Sequence, residues 1–332
     1  MISLQIISCI LILSVFSEFS KADDTCLGEQ RFTSFTKIGN NYYYIDRTNV
    51  VNWYKAVDTC RRMGANLATI KYDDQMTALS NYLLSRGYDD RFWVAGNDLA
   101  ENGNFYWNSN GRKMTYAKWS PGEPNNFGGN EHCIHLQIRN GEYSMNDFGC
   151  TYKYAYFICQ APEPILKLKM ISLQITLCIL LLSAFSGLSK ADDTCLGEQR
   201  FESFTKIGNN YYYIEQTNVV NWHKAVDTCR RMGADLATIR YNDQIISLSN
   251  YLLSKGYRNF YWIAGNDLAE QGNFYWISNG RRMTYAKWTP GEPNNFGGNE
   301  HCVHLQEPTG GYTMNDNDCS RLLYFICQAP EP

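Results

Sequence analysis

The chain is written twice. Met1-Ile-Ser-Leu-Gln-Ile returns at Met170, and Asp23-Asp-Thr-Cys-Leu-Gly-Glu-Gln-Arg-Phe returns at Asp192. Cys26, Cys60, Cys133 and Cys150 recur 169 positions later as Cys195, Cys229, Cys302 and Cys319. Cys159 returns as Cys327, 168 positions later, because the second copy lacks one residue in its final loop. Solenoid repeats have periods of roughly 20–50 residues, so this period marks a duplicated whole domain. A length of 332 residues suits two domains, each of roughly 150 residues.

Each copy opens on an apolar stretch. Residues 2–16 are apolar with a few small polar residues, and Ser20-Lys21-Ala22 has the small-x-small pattern that precedes signal-peptidase cleavage. A secretory signal is therefore expected over 1–22 and a first mature domain over 23–164. Residues 170–189 carry no charge, follow Lys167 and Lys169, and end on Ser189-Lys190-Ala191, the same cleavage pattern. We read 165–191 as a linker with an internal signal-like or transmembrane-like segment, and 192–332 as the second domain. Three readings of the linker stand: a membrane anchor, a cleaved internal signal, or two adjacent genes joined in one chain. Its near-identity to the first signal, down to Met170, favours the last two.

Composition narrows the function classes. The 30 basic and 33 acidic groups give a net charge of -3, so no positive field exists to hold nucleic acid or an anionic membrane. Aromatics reach 14%, with 24 Tyr and 8 Trp, which favours strands and binding surfaces. Twelve cysteines point to an oxidising compartment and a secreted, extracellular protein.

In the first copy, Lys37 to Ile45 reads as a strand punctuated by Gly39-Asn40. Asn49 caps an expected helix to about Met63, with Trp53, Ala56, Val57 and Cys60 on one face, stopped by Gly64. Leu67 to Ile70 is a short strand, and Asp73 or Asp74 starts a second helix through Met76, Leu79 and Leu83 to Gly87. Short aromatic strands follow: Phe92–Ala95, Phe105–Trp107, Cys133–Gln137, Tyr143–Met145 and Tyr156–Cys159. Two helices before a strand-and-loop half make an α+β fold with short antiparallel strands. The long segment from Trp107 to Cys133 is poor in helix or strand signals, and loops of that length are usually functional.

Apart from Cys9 and Cys178 in the signal-like segments, each copy holds five cysteines. Five permit two bridges and one leftover, with no pairing fixed by spacing. No Cys-x-x-Cys spacing supports zinc. The leftover, Cys26 or Cys195, lies near the new terminus and is expected to bridge between molecules or domains.

The informative segment is Trp119-Ser-Pro-Gly-Glu-Pro-Asn-Asn-Phe-Gly-Gly-Asn-Glu-His-Cys133, repeated as Trp288 to Cys302. Glu123, Asn125 and Glu131 place two carboxylates and an amide in a turn-rich loop, and Asn146 and Asp147 follow just before Cys150. Five oxygen-bearing side chains, with a carbonyl or water, approach the six to eight ligands calcium prefers. The lack of thiolate or imidazole in this set disfavours zinc and copper. Pro124 invites a cis peptide bond.

These residues resemble the C-type lectin family, of the secreted insect type. The likeness covers about 26–160 and 195–328 and includes the two helices, Phe-Trp-Val-Ala-Gly at 92–96, the Glu-Pro-Asn loop and four cysteines per copy. It implies two tandem C-type lectin folds with a long calcium-binding loop region. It also implies bridges Cys60–Cys159, Cys133–Cys150, Cys229–Cys327 and Cys302–Cys319. It assigns a sugar-binding Ca2+ to Glu123, Asn125, Glu131, Asn146 and Asp147, and in the second copy to Glu292, Asn294, Glu300, Asn315 and Asp316. Two neighbouring sugar hydroxyls then coordinate the ion and exchange hydrogen bonds with its ligands. Glu-Pro-Asn implies mannose, fucose or glucose-type sugars, while an exposed aromatic at Phe127 or Phe296 would stack on galactose and broaden the choice.

Departures from the family pattern are specific. Met145 and Met314 stand where Trp usually precedes the Asn-Asp pair. At a secondary calcium site found in some members the chain has Asp98, but also Asn102, Asn126 and His132, with Gln271, Asn295 and His301 in the second copy. That site is not expected here. No cysteine near Asn41 and Tyr42 pairs with Cys26.

No catalytic motif is present. His132 and His135, three positions apart on a strand, point to opposite faces and do not chelate one ion. Tyr42-Tyr43-Tyr44 reads as strand core and surface, and no Asn-x-Ser/Thr sequon occurs. The expected function is a non-enzymatic, calcium-dependent lectin that recognises glycans on cells, microbes or secreted glycoproteins, as in innate recognition. The alternative is a protein-interaction domain on the same fold without useful sugar affinity. Cys26 and Cys195 would link separately released copies into a disulfide-bonded dimer.

Overall fold

The computed structural model describes residues 34–162, 203–308 and 310–330. The signal-like segments, the linker, and Cys9, Cys26, Cys178 and Cys195 lie outside the described residues.

In the first domain β1 (Thr36–Ile38) and β2 (Asn41–Val51) form a hairpin around Gly39, whose φ of 59° suits a residue without Cβ. The single strand expected here is therefore two. Helix α1 (Trp53–Arg62) starts three residues later than the sequence implied. Asn49 lies inside β2, and Asn52 is the cap, its side chain accepting the Lys55 N–H at 2.8 Å. Two asparagines three residues apart both suit a cap by type. Pairing of Val51 with Ala155 on the last strand keeps the chain extended past the first of them.

After β3 (Asn66–Leu67), α2 (Asp73–Ser85) buries Met76, Leu79 and Leu83, with Asp73 and Asp74 at its positive end. The remaining strands are β4 (Phe92–Asn97), β5 (Tyr106–Trp107), β6 (Arg112–Lys113), β7 (Cys133–Arg139), β8 (Glu142–Phe148) and β9 (Ala155–Gln160). Strand β9 lies between β2, antiparallel to it, and β4, parallel to it; β4 then pairs with β7, and β7 with β8. The last strand of the domain thus lies beside its first hairpin, and the long loop leaves from the β4–β7–β8 side. Trp53 and Trp93 fill the core at 1% and 0% exposure. Each indole N–H donates to a main-chain carbonyl, of Val94 and Val51 respectively, at 2.8 Å.

The bridge Cys60–Cys159 ties α1 to β9, and Cys133–Cys150 ties the start of β7 to the end of the β7–β8 hairpin. Closing loops of 99 and 17 residues stabilises by about 3–5 kcal/mol each in the loop-entropy account.

The second domain repeats this plan with β10 (Thr205–Ile207), β11 (Asn210–Ile214), α3 (Trp222–Arg231), β12 (Asp235–Leu236) and α4 (Asn242–Ser254). It continues with β13 (Tyr261–Asn266), β14 (Tyr275–Trp276), β15 (Glu300–Gln306), β16 (Thr313–Asp318) and β17 (Tyr324–Gln328). Its bridges are Cys229–Cys327 and Cys302–Cys319. No helix among the described residues is long and apolar enough to cross a membrane.

Candidate functional site

The loop from Trp119 to His132 is laid over the β7–β8 hairpin. Ser120 donates its N–H to the Met145 carbonyl at 2.8 Å, and its hydroxyl meets that of Ser144 at 2.7 Å. Met145 is fully buried beneath this seam, and Trp119 packs edge-on against Phe105. The methionine thus fills the core under the loop and contributes no polar atom to its surface.

Asp147 fixes the loop from below. It is 1% exposed, and its two carboxylate oxygens accept the backbone N–H groups of Asn125 at 3.1 Å and Asn126 at 2.8 Å. Glu131 closes the other end: its carboxylate accepts the Phe127 N–H at 3.0 Å, while its own N–H donates to the Asn126 side-chain carbonyl at 3.0 Å. Asn126 has φ 44°, a left-handed conformation that asparagine tolerates better than most residues, and Glu123–Pro124 is cis.

The loop residues Glu123, Asn125 and Glu131 are therefore gathered near Asp147, with Asn146 next to it on β8. Glu123 and Asn125 come from the loop, Glu131 from its end, and Asn146 and Asp147 from β8. Two oxygens there stand out: Glu123 Oε2 and Asn146 Oδ1 are buried with no hydrogen-bond partner. Orphaned buried oxygens are costly and call for a positive partner. The Glu123 carboxyl is pushed up by burial and then by the charges of Asp147 and Glu131. Glu131 is pushed up by burial and by Asp147, against the Phe127 N–H, which lowers it. Converging carboxylates and amides with unspent lone pairs fit a hard, oxygen-seeking cation. Carboxylates, imidazoles and thiolates alone do not close on a metal anywhere among the described residues.

The second copy reproduces the arrangement. Asp316 accepts from Asn294 and Asn295 at 3.1 and 2.9 Å, and Glu300 accepts from Phe296 at 3.0 Å. Glu292–Pro293 is cis, and Glu292 Oε2 and Asn315 Oδ1 are again buried without partners. Phe127 and Phe296 project from the two rims at 77% and 78% exposure. The site is an open rim rather than a cavity. A groove of about 530 Å³ lined by Asn210, Tyr241 and Gln244, among others, shares no residue with it.

Sequence reasoning missed how the residues beside Glu131 are spent. His132 Nδ1 lies 2.8 Å from Asp98 Oδ1, Asp98 Oδ2 accepts the Gly103 N–H, and the Asn126 amide donates to Asn102. The matching pair is His301 with Asp267. These groups brace the loop. His135 is buried against Trp93, Phe148 and Tyr154, away from His132, as strand alternation requires.

Residues 49–161 and 218–329 match the family model described as the lectin C-type domain. The chain belongs to the C-type lectin family, a non-enzymatic family, and carries two such domains. It is 39% identical over 135 residues to C-type lectin 37Da of Drosophila melanogaster, covering 39% of this chain and 72% of that protein. Both domains together align with C-type mannose receptor 2 of Rattus norvegicus, 25% identical over 305 residues, which is 90% of this chain but 18% of the receptor. The chain thus spans less than a fifth of that relative. Among solved structures it is similar to the C-type lectin domain of murine dendritic cell inhibitory receptor 2 in complex with N-glycan. There the identity is 25%, the match covers 39% of this chain and 98% of that one, and the TM-score is 0.34.

Proposed function

We propose that each domain is a calcium-dependent carbohydrate-recognition module of a secreted protein, with a preference for mannose, fucose or glucose-type sugars. The observation that carries this reading is the pair of orphaned oxygens in each copy, Glu123 Oε2 with Asn146 Oδ1 and Glu292 Oε2 with Asn315 Oδ1. Calcium would be held by Glu123, Asn125, Glu131, Asn146 and Asp147, and by Glu292, Asn294, Glu300, Asn315 and Asp316, and would supply coordination positions for two adjacent sugar hydroxyls. The protein's own part is orientation. Asp147 and Asp316 hold the Glu-Pro-Asn backbone, and carboxylates and amides around the rim give each hydroxyl both an acceptor and a donor. Phe127 and Phe296 offer apolar faces to a sugar ring.

Four bridges over the described residues suit an extracellular setting, and glycans on cells, microbes or secreted glycoproteins are the fitting partners. A glycan array in calcium and in excess chelator tests the reading. Retention is expected in calcium and lost in chelator; retention in both refutes it. Competition by free mannose and galactose tests the preference, and galactose as the stronger competitor reverses it. Calcium-independent capture of a protein partner, with no glycan retained, would favour the interaction-domain alternative.

A further inference from the structure

The outer stripe of α1 is polar: Lys55, Asp58, Thr59 and Arg62 follow one another at helical spacing, away from Ala56, Val57 and Cys60. Such a stripe reads as a solvent face. Yet Asp58 is 1% exposed, and its counterpart on α3, Asp227, is 2% exposed. The other domain covers each of them. A Cβ added at Gly280 would lie 2.0 Å from the Asp58 carbonyl oxygen, and one at Gly111 would lie 2.0 Å from that of Asp227.

The contacts are reciprocal. The Asn52 amide donates to the Leu268 carbonyl at 3.1 Å, and the Asn221 amide donates to the Leu99 carbonyl at 3.2 Å. Arg62 donates to the Gly280 carbonyl and Arg231 to that of Gly111, both at 3.0 Å. Lys55 stands 5.1 Å over the Tyr275 ring and 3.6 Å from Glu270; Lys224 stands 4.9 Å over Tyr106 and 3.4 Å from Glu101. Every pair is its own mirror under the 169-residue shift. The shift maps Tyr54 onto His223, and those two rings stack on each other at 6.1 Å, which puts them on the axis. This is the signature of an isologous interface, in which one patch meets its own equivalent. One contact breaks the symmetry. Arg230 donates across to the Asn108 carbonyl and pairs with Asp235 at 3.3 Å, whereas Arg61 has Asn66 in place of that acid.

We propose that this face is a domain-pairing surface whose partner is the same face of the second lectin domain, so that the two domains stay together as a noncovalent pair when the peptide link between them is cut. A chance contact would bury whatever faces happened to meet. Here two copies bury the same helix stripe against the same turn and satisfy the same carbonyls. Segment 98–104, whose Asp98 braces His132 beside Glu131, also receives the Asn221 amide, so pairing fixes a wall of each rim. If the rims bind sugar as proposed above, the pair is a rigid bivalent unit; the pairing itself does not depend on that reading.

The test uses the full chain with a protease site inserted within 165–191 and with Cys26→Ser and Cys195→Ser, so that no covalent link remains after cutting. Sedimentation of the cut protein at micromolar concentration should give the mass of the uncut chain. Asn52→Asp with Asn221→Asp keeps the helix caps, because the Oδ1 acceptors of Lys55 and Lys224 N–H remain. It removes the donors and sets negative charge against the partner's carbonyls. The halves should then separate, with the apparent Kd raised at least tenfold and circular dichroism unchanged. Arg62→Glu with Arg231→Glu should act in the same direction. Cut protein that sediments as independent halves overturns the proposal. So does a pair that survives both double variants.

Discussion

The two rims differ less than the ground around them. Every side chain proposed above to hold calcium is the same in both copies, down to the orphaned oxygens and the exposed phenylalanine. Just outside, the copies part. The first has Phe148, stacked at 4.0 Å on Tyr154, followed by Gly149 and the exposed Tyr152. The second has the buried Asn317, then Asp318, which accepts from Asn299 and Ser320, and Arg321. These charges reach the rim: the Glu300 carboxyl is pushed up by burial first, while Arg321 lowers it and Asp318 raises it. A rim held constant beside surroundings that change from aromatic to charged teaches that, on the proposed function, the two sites share one primary sugar chemistry and differ in what flanks it.

The harshest way to break this comparison is to remove one ligand. Glu123→Ala together with Glu292→Ala is expected to abolish calcium-dependent glycan retention. Either single variant should leave one working site, and avidity for a multivalent surface should fall by roughly 10²–10⁴. Unequal losses in the two single variants, measured on a mannosylated surface, would mean that the sites are not equivalent.

Next in size is the anchor beneath. Hydrogen bonds to a charged group contribute about 1.5–3 kcal/mol each, so Asp147→Asn and Asp316→Asn should each loosen their loop by a similar amount. Faster amide exchange at Asn125 and Asn126, or at Asn294 and Asn295, is the measurement. Protection that stays unchanged would remove the anchoring role.

Smaller still is the aromatic face. Phe127→Ala and Phe296→Ala should each weaken sugar binding by about 0.5–1.5 kcal/mol and lower the galactose-to-mannose ratio in competition. The flanking residues are tested by Asp318→Gly with Arg321→Tyr, which should move the second site's glycan-array profile towards the first's while leaving calcium affinity unchanged.

The axis of the domain pair offers the finest contrast, since Tyr54 faces His223. The His223 imidazole is pushed down to about 3, by burial and then by the charge of His132. Its contribution to pairing is present in full above its ordinary value near 6.5 and is lost as pH falls towards about 3. The buried carboxyls oppose this trend. Asp58 and Asp227 are raised to about 7 and about 6 by burial, against the lowering effects of Lys55, Arg61, Arg62 and Arg230 on the first and of Lys224, Arg230 and Arg231 on the second. The useful readout is therefore a difference: cut His223→Tyr protein should hold together to lower pH than cut protein with His223. Identical pH profiles would take His223 out of the interface energetics.

Much of the site is legible in the sequence because its donors are crowded. Glu123, Asn125 and Glu131 lie in one turn-rich loop, and Asn146 and Asp147 lie four and three positions before Cys150. The helices are legible from the spacing of Trp53, Ala56, Val57 and Cys60 and of Met76, Leu79 and Leu83, although the cap falls on Asn52 rather than Asn49. That shift comes from a strand pairing with a residue about 100 positions away, which no local pattern contains. Asp98 is another such case. By type and position it offers itself to a second ion, and only the fold turns it towards His132 and Gly103.

The sequence by itself determined that there are two equivalent domains, that each is α+β, and that each carries four well-placed cysteines and brings five oxygen donors to its loop-rich half. Composition, period and spacing are local properties of a chain, and they suffice for that. Only the tertiary structure decided which cysteines meet and which rim oxygens are left without partners. It alone revealed that a stripe of lysine, aspartate and arginine on α1 is an interface rather than a solvated face. Polar periodicity marks the side of a helix turned away from its own core. Whether water or another domain covers that side depends on contacts between residues more than a hundred positions apart, such as Asn52 with Leu268 and Asn221 with Leu99.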